Sequence, residues 1–146
     1  MLIDLKHLLG TPEVNELMTY ALIDEPETLL HTSAEYSEQT ALQLCGWEEE
    51  KLLLGLVGFE ETEDGSLVIR HIAVLPENRG KGYARGMILE LLTVRQPRYL
   101  LAETEDEVSA DFFRSHGFMV YSLGENAAGI EMFRCVYEVE ESEDEE

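Results

Sequence analysis

Residues 66–75, "SLVIRHIAVL", are apolar apart from Ser66, Arg70 and His71. A strand of that composition reads as central in a sheet and covered on both faces. It runs straight into "PENRGKGYARGMILELL", residues 76–92, in which Ala84, Met87, Ile88, Leu91 and Leu92 keep a helical stripe. A covered strand that turns through glycines into an amphipathic helix restricts the chain to helices layered on a sheet.

The rest of the chain agrees with that restriction. Thr11 and Pro12 read as a helix N-cap and first helical position, and Val14, Leu17, Met18, Ala21 and Leu22 carry a helical stripe to about Ile23. Asp24-Glu25-Pro26 breaks it, and a second helix with Leu29, Leu30 and Ala34 on its apolar side is expected. Residues 1–9 stay open between a short strand at Met1–Leu5 and a helical turn at Asp4–Leu9. "TALQLCGW", the turn "EEEK", "LLLGLVGFE", the turn "TEDG" and "SLVIRHIAVL" form an antiparallel meander. Gln96-Pro97 ends the following helix, and "RYLLAET" is a strand parallel to the central one because a helix joins them. Thr104 to Glu107 reads as a capping box before "VSADFFRSH", which Gly117 closes. "FMVYSL" and "IEMFRCVYEV" pair around "GENAAG" as a last hairpin. The expected fold is a single α/β (α+β) domain over residues 1–139, with a mixed sheet and about four helices. Residues 140–146 read as an acidic, disordered tail.

A chain of 146 residues buries roughly 68–70% of its unfolded surface, enough for one core. The two cysteines, Cys45 and Cys135, sit in apolar strand contexts without metal spacing, so reduced thiols and no metal are expected. No apolar run approaches the ~20 residues of a membrane helix. Met1 is not followed by a basic-then-apolar leader, so a cytoplasmic location is expected. The net charge is −21, and removing the six acidic residues after Val139 leaves −15. Such a surface repels nucleic acid and anionic membranes and attracts cationic ligands. Six of the ten basic residues, Arg70, Arg79, Lys81, Arg85, Arg95 and Arg98, nevertheless fall between positions 70 and 98.

That concentration coincides with the glycine turn. Arg79-Gly80-Lys81-Gly82-Tyr83-Ala84 opens a helix, where the first N–H groups lack partners and carry about half a positive charge. Glycines admit a close ligand and basic residues surround it, so the segment reads as a phosphate cradle. A Walker loop is excluded because Gly82 follows Lys81 where Ser or Thr is needed. A dinucleotide fingerprint is excluded because Arg85 holds the place of the third glycine, and because the strand arrives from a meander.

Arg79, Gly82 and Ala84 match Gln/Arg-x-x-Gly-x-Gly/Ala, and with "IAVLPE" and "FFRSHGF" the stretch from Leu67 to Phe118 resembles the GNAT acetyltransferase superfamily. The order of elements is similar over most of the chain. The resemblance implies acetyl-coenzyme A as co-substrate, with its diphosphate on the N–H groups of residues 79–84. It implies cofactor contacts from Ala73, Val74, Arg79, Gly80, Lys81, Gly82, Tyr83, Ala84 and Arg85, the pantetheine arm adding like a strand beside Ala73 and Val74. The implied activity is direct acetyl transfer to the amine of a small molecule or peptide, the acidic surface favouring a cationic acceptor. The alternative is a non-catalytic module that binds acyl-coenzyme A. A homodimer through the final hairpin is compatible with the sequence, but no feature demands it.

An ammonium of pKa about 10.4 must lose its proton before it can attack, which costs roughly 4–5 kcal/mol at pH 7. Glu103, at the end of the parallel strand, is the leading carboxylate for that proton. Asp106 stands where the family often has Asn and offers a substrate contact or a charge on the helix dipole. Glu60 is a further option. Strand alternation places Val68, Arg70, Ile72 and Val74 on one face, where Arg70 would meet an anionic group on the acceptor, and His71 on the other. His71 reads first as a packed histidine and second as a base. The tyrosine the family often has four residues before the glycine is Phe113 here, which has no proton to give a departing thiolate; Tyr83, Tyr121 or water are substitutes.

Overall fold

The computed structural model describes residues 2–21 and 26–138. The expected helix end at Leu22–Ile23, its break at Asp24-Glu25 and the acidic tail lie outside the described residues. The chain starts with strand β1 (Leu2–Asp4) and a 3₁₀ turn (Lys6–Leu8), so both readings of its first residues hold in succession. Helices α1 (Pro12–Ala21) and α2 (Pro26–Glu38) follow, then the meander β2 (Leu42–Glu49), β3 (Leu52–Glu61) and β4 (Leu67–Val74). Helix α3 (Tyr83–Arg95), strand β5 (Tyr99–Thr104), helix α4 (Glu107–Ser115) and the hairpin β6 (Met119–Glu125) and β7 (Glu131–Glu138) complete the order. No helix among the described residues is long and apolar enough to cross a membrane.

The seven strands form one sheet in the order β1-β2-β3-β4-β5-β7-β6, in which β4 is central and β4–β5 is the parallel pair. The mixed α+β architecture expected from the sequence is therefore present. Two helices cover each face. On one, Met87, Ile88 and Leu91 of α3 and Phe113 of α4 bury against Val57, Phe59, Ile69, Val74 and Leu100. On the other, Val14, Leu17 and Met18 of α1 and Tyr36 of α2 bury against Leu42, Leu44, Leu56 and Ala73. Each such side chain contributes about 1.5–3 kcal/mol of burial. The second pair of helices stops at β4, so Met119 and Tyr121 on the last hairpin stay exposed. Cys45 and Cys135 are both free thiols.

Three local expectations are corrected. Ala34 of α2 is exposed, and among the side chains described for that helix Thr32 and Tyr36 are the buried ones; the expected Leu29 and Leu30 lie outside the described side chains. Tyr36 can turn inward because β3 has Gly58 beneath it: a Cβ there would stand 1.8 Å from the tyrosine hydroxyl. The β2–β3 turn is only Glu50 and Lys51, both with positive φ (52° and 69°), so the strands extend further than the polar run suggests. In the β3–β4 pairing Gly58 faces His71 and Phe59 faces Ile69, which leaves Arg70 as the extra residue of a bulge. The bulge ends the strict alternation along β4. Ile72 and Val74 join the α3 face, whereas Arg70 turns to the α2 side together with His71.

Candidate functional site

The parallel pairing of β4 with β5 ends at Ile69 and Ala102. Beyond it the strands part, and a cleft of about 720 Å³ opens between the start of α3 and the inward side of α4. Its walls gather Ala73, Val74, Arg79, Gly80, Gly82, Tyr83, Ala84, Arg85 and Asp106, all singled out in the sequence. Lys81 is exposed in the same loop but does not line the cleft. Tyr20, Asn78, Val108, Ser109, Phe112 and His116 line it as well and were not anticipated. Phe112 and His116 are one helical turn apart, and their rings stack at 4.3 Å, so their shared side of α4 was readable from spacing alone.

The turn into α3 is built for close approach. Gly80 and Gly82 have φ of 79° and 86°, and a Cβ on either would meet nothing within 4 Å, so the loop is open above them. Gly82 is the N-cap residue and supplies no side-chain cap. Among the described residues, the N–H groups of residues 80–85 have no protein acceptor. The N–H of Arg79 is different: it donates to the Pro76 carbonyl at 3.3 Å, so the free row begins at Gly80, one residue later than expected. The Arg79 side chain donates from Nε to the Val74 carbonyl at 3.1 Å and stacks its guanidinium over Tyr20 at 5.4 Å. This ties α1 and the end of β4 to the loop. The basic residues do not form one patch, since Arg70 lies on the other side of the sheet and Arg95 sits over Phe59.

Asp106, not Thr104, caps α4. Its carboxylate accepts from the N–H groups of Val108 (3.3 Å) and Ser109 (3.2 Å) and from the Ser109 hydroxyl (2.9 Å). Thr104 instead accepts from the Asp106 N–H at 3.1 Å, so the cap sits two residues beyond the predicted box. The Ser109 hydroxyl first, then the Val108 amide, holds the Asp106 carboxyl below the usual carboxylate range. At the other end, Gly117 (φ 93°) turns the chain, and the Phe118 N–H reaches back to the Phe113 carbonyl. Phe113 is buried and lines the cleft. Of the hydroxyls that could replace a tyrosine there, Tyr83 donates to Glu49 at 3.4 Å and Tyr121 is exposed on β6.

The remaining candidates lie outside the cleft. Glu103 accepts from Arg134 Nε (2.9 Å) and Nη2 (2.6 Å), and it does not line the cleft. Arg70 forms an ion pair with Glu60, so both enter a cavity of about 260 Å³ with their charges matched. His71 and Tyr36 share that cavity, the tyrosine hydroxyl lying 2.7 Å from His71 Nδ1. Burial lowers the His71 pKa to about 4, and the same cause raises the Tyr36 hydroxyl well above its ordinary value.

A family model described as an acetyltransferase (GNAT) domain matches residues 42–120. Among curated proteins, an uncharacterized N-acetyltransferase from the lysA 3′ region of Bacillus methanolicus is 29% identical over 73 residues. That match takes in 50% of this chain and 61% of the relative, so the chain spans about three fifths of the length of the curated relative. A protein assigned to the GNAT acetyltransferase family from Desulfovibrio desulfuricans has a similar structure, with a TM-score of 0.76 at 17% identity over 94% of this chain and 98% of that one. A GNAT family acetyltransferase from Elizabethkingia anophelis, solved with acetyl-CoA bound, superposes with a TM-score of 0.71 at 14% identity over 95% of this chain and 97% of that one.

Proposed function

The chain belongs to the GNAT acetyltransferase family, and we propose that it moves an acetyl group directly from acetyl-coenzyme A to the amine of a small molecule or peptide. The observation that carries this reading is the row of N–H groups at residues 80–85, which have no protein acceptor among the described residues, in a turn whose Gly80, Gly82, Tyr83, Ala84 and Arg85 line a cleft of about 720 Å³. Such a row at the start of a 13-residue helix is a diphosphate site. Gly80, Gly82, Tyr83 and Ala84 present the amides, while Arg79, Lys81 and Arg85 add charge. Ala73 and Val74 offer the edge of β4 that no strand covers beyond Ile69, where an extended arm finds backbone partners. A neighbour of the same fold that holds acetyl-CoA supports the choice of donor.

The acceptor follows from charge. A chain of −21 favours a cationic amine over an anionic one. Arg70 reaches an anionic group on the acceptor only by leaving Glu60, and Glu103 takes the amine's proton only by leaving Arg134. Asp106, already holding the start of α4, contributes an acceptor to the cleft wall.

Titration calorimetry with acetyl-coenzyme A, followed by thiol release with a panel of amines, tests the reading. Binding together with thiol release is expected, and Arg85→Glu should weaken binding about tenfold or more. A cleft that takes no acetyl-coenzyme A would overturn it. Tight binding without release for any amine would favour a non-catalytic acyl-coenzyme A module, for which Phe113 in the cleft is the specific argument.

A further inference from the structure

Two openings lie back to back across β4 where it leaves β5. Ile72, Ala73 and Val74 line the cleft on one side, and Arg70 and His71 line the smaller cavity on the other. His71 is the second residue past the last parallel pair and three residues from Val74, about 10 Å along the strand. A donor extended along the open edge of β4 and an amine entering beneath α2 would meet at that gap.

The imidazole is oriented from one side only. Tyr36 Oη lies 2.7 Å from Nδ1, and Gly58 across the β3–β4 ladder leaves the space that the tyrosine occupies. Among the described residues, Nε2 has no hydrogen-bond partner. It is not sealed from solvent either, because among the described residues the fully buried side-chain atom without a partner is Ser66 Oγ. Nε2 therefore keeps access to solvent, and His71 is one of the residues that line the cavity.

Resting on the transferase reading, we propose that His71 Nε2 takes the proton of the attacking amine and passes it to the departing thiolate, with Tyr36 as the positioning residue that keeps the other proton on Nδ1. The amine lone pair forms the N–C bond, and its proton moves to Nε2. The C–S bond breaks with its electron pair on sulfur, which then collects that proton from Nε2. One proton has moved from nitrogen to sulfur, and nothing is oxidised or reduced. Among the described residues, Glu35 and Tyr36 of α2, Glu60 of β3 and Arg70 of β4 are the titratable and charged groups that line the cavity with the ring, and Glu35 and Arg70 act on its charge. Burial disfavours the charged ring, so it takes no proton from a free ammonium; it receives one only as the N–C bond forms and makes that nitrogen acidic, and then gives it up readily to a thiolate of ordinary pKa near 8.5. A single shuttle of this kind supplies the acid that Phe113 lacks.

With an amine that the native protein accepts, His71→Asn should lower kcat by ~10²–10⁴ and leave the acetyl-coenzyme A Kd within about twofold. His71→Ala should regain part of the rate with added imidazole. In the ligand-free protein, nitrogen NMR should find the His71 proton on Nδ1, and Tyr36→Phe should move it toward Nε2 while slowing turnover. Undiminished kcat in His71→Asn, or a native ring protonated on Nε2, overturns the proposal; so does a loss confined to Glu103→Gln. Were His71→Asn to lose acetyl-coenzyme A binding through misfolding, the tautomer and Tyr36→Phe decide. A native protein that binds the donor and acetylates nothing removes the transferase reading as well, whereas full turnover by His71→Asn removes the role of His71 alone.

Discussion

His71 and Tyr36 are two ionisable residues whose burial keeps both uncharged through the neutral range. For His71 the folded pKa of about 4 lies below the ordinary 6.5, burial being the main cause and the Arg70 charge adding to it, while Glu35 opposes both. The unfolded chain binds a proton below about pH 6.5 and the folded chain only near pH 4, so stability declines as pH falls through that window. The decline attributable to this ring is at most about 3 kcal/mol. Urea unfolding of the native protein and His71→Asn at pH 7, 5.5 and 4.5 should show a steeper loss in the native protein. Parallel losses in the two would mean that His71 titrates normally and that the Tyr36 contact does not exclude water. The sequence placed His71 on a packed face correctly, but the identity of its partner was not legible. Nothing local says that a glycine on the neighbouring strand makes room for a tyrosine 22 positions earlier in the chain.

Among elements, those whose geometry is fixed by the backbone were the most readable. Gly80 and Gly82 need left-handed conformations, Pro76 and Pro97 stop what precedes them, and Gly117 closes α4, so the loop and the C-terminal ends of α3 and α4 could be anticipated. What escaped depended on pairing between strands. The bulge at Arg70 has no glycine or proline to announce it, yet it reverses which face Arg70 occupies and takes that side chain to the α2 cavity. The β2–β3 turn is another such case. Glu50 and Lys51 both adopt positive φ without the Asn-Gly chemistry that normally marks a two-residue hairpin. Left-handed geometry costs an ordinary residue about 1–2 kcal/mol, partly offset in glycine by its greater freedom when unfolded. The double change Glu50→Asn with Lys51→Gly should therefore stabilise the fold by about 1 kcal/mol, seen as a higher urea midpoint at unchanged m-value. A lower midpoint would show that the two side chains contribute more to the hairpin than their strain removes.

Seen as a whole molecule, the protein presents a conflict between its total charge and its site. The net charge of −21 repels an anionic donor, whereas under the proposed function the amides of residues 80–85 and the side chains of Arg79, Lys81 and Arg85 would attract one at contact. Salt separates the two effects because they act over different distances. A globule of this length has a radius of gyration of about 15 Å. At about 0.01 M salt the screening length of ~30 Å exceeds that radius, so an approaching donor feels the whole charge; at about 0.15 M it is ~8 Å, and only the nearest groups count. Stopped-flow binding of acetyl-coenzyme A should then show an association rate that rises as salt is raised between those limits. The dissociation rate should rise as well, since the contact pairs are themselves partly screened. Kd would accordingly move less than the more responsive of the two rates. An association rate that falls with salt would mean instead that the cationic loop governs the field along the whole approach, with the acidic body turned away from the path of entry.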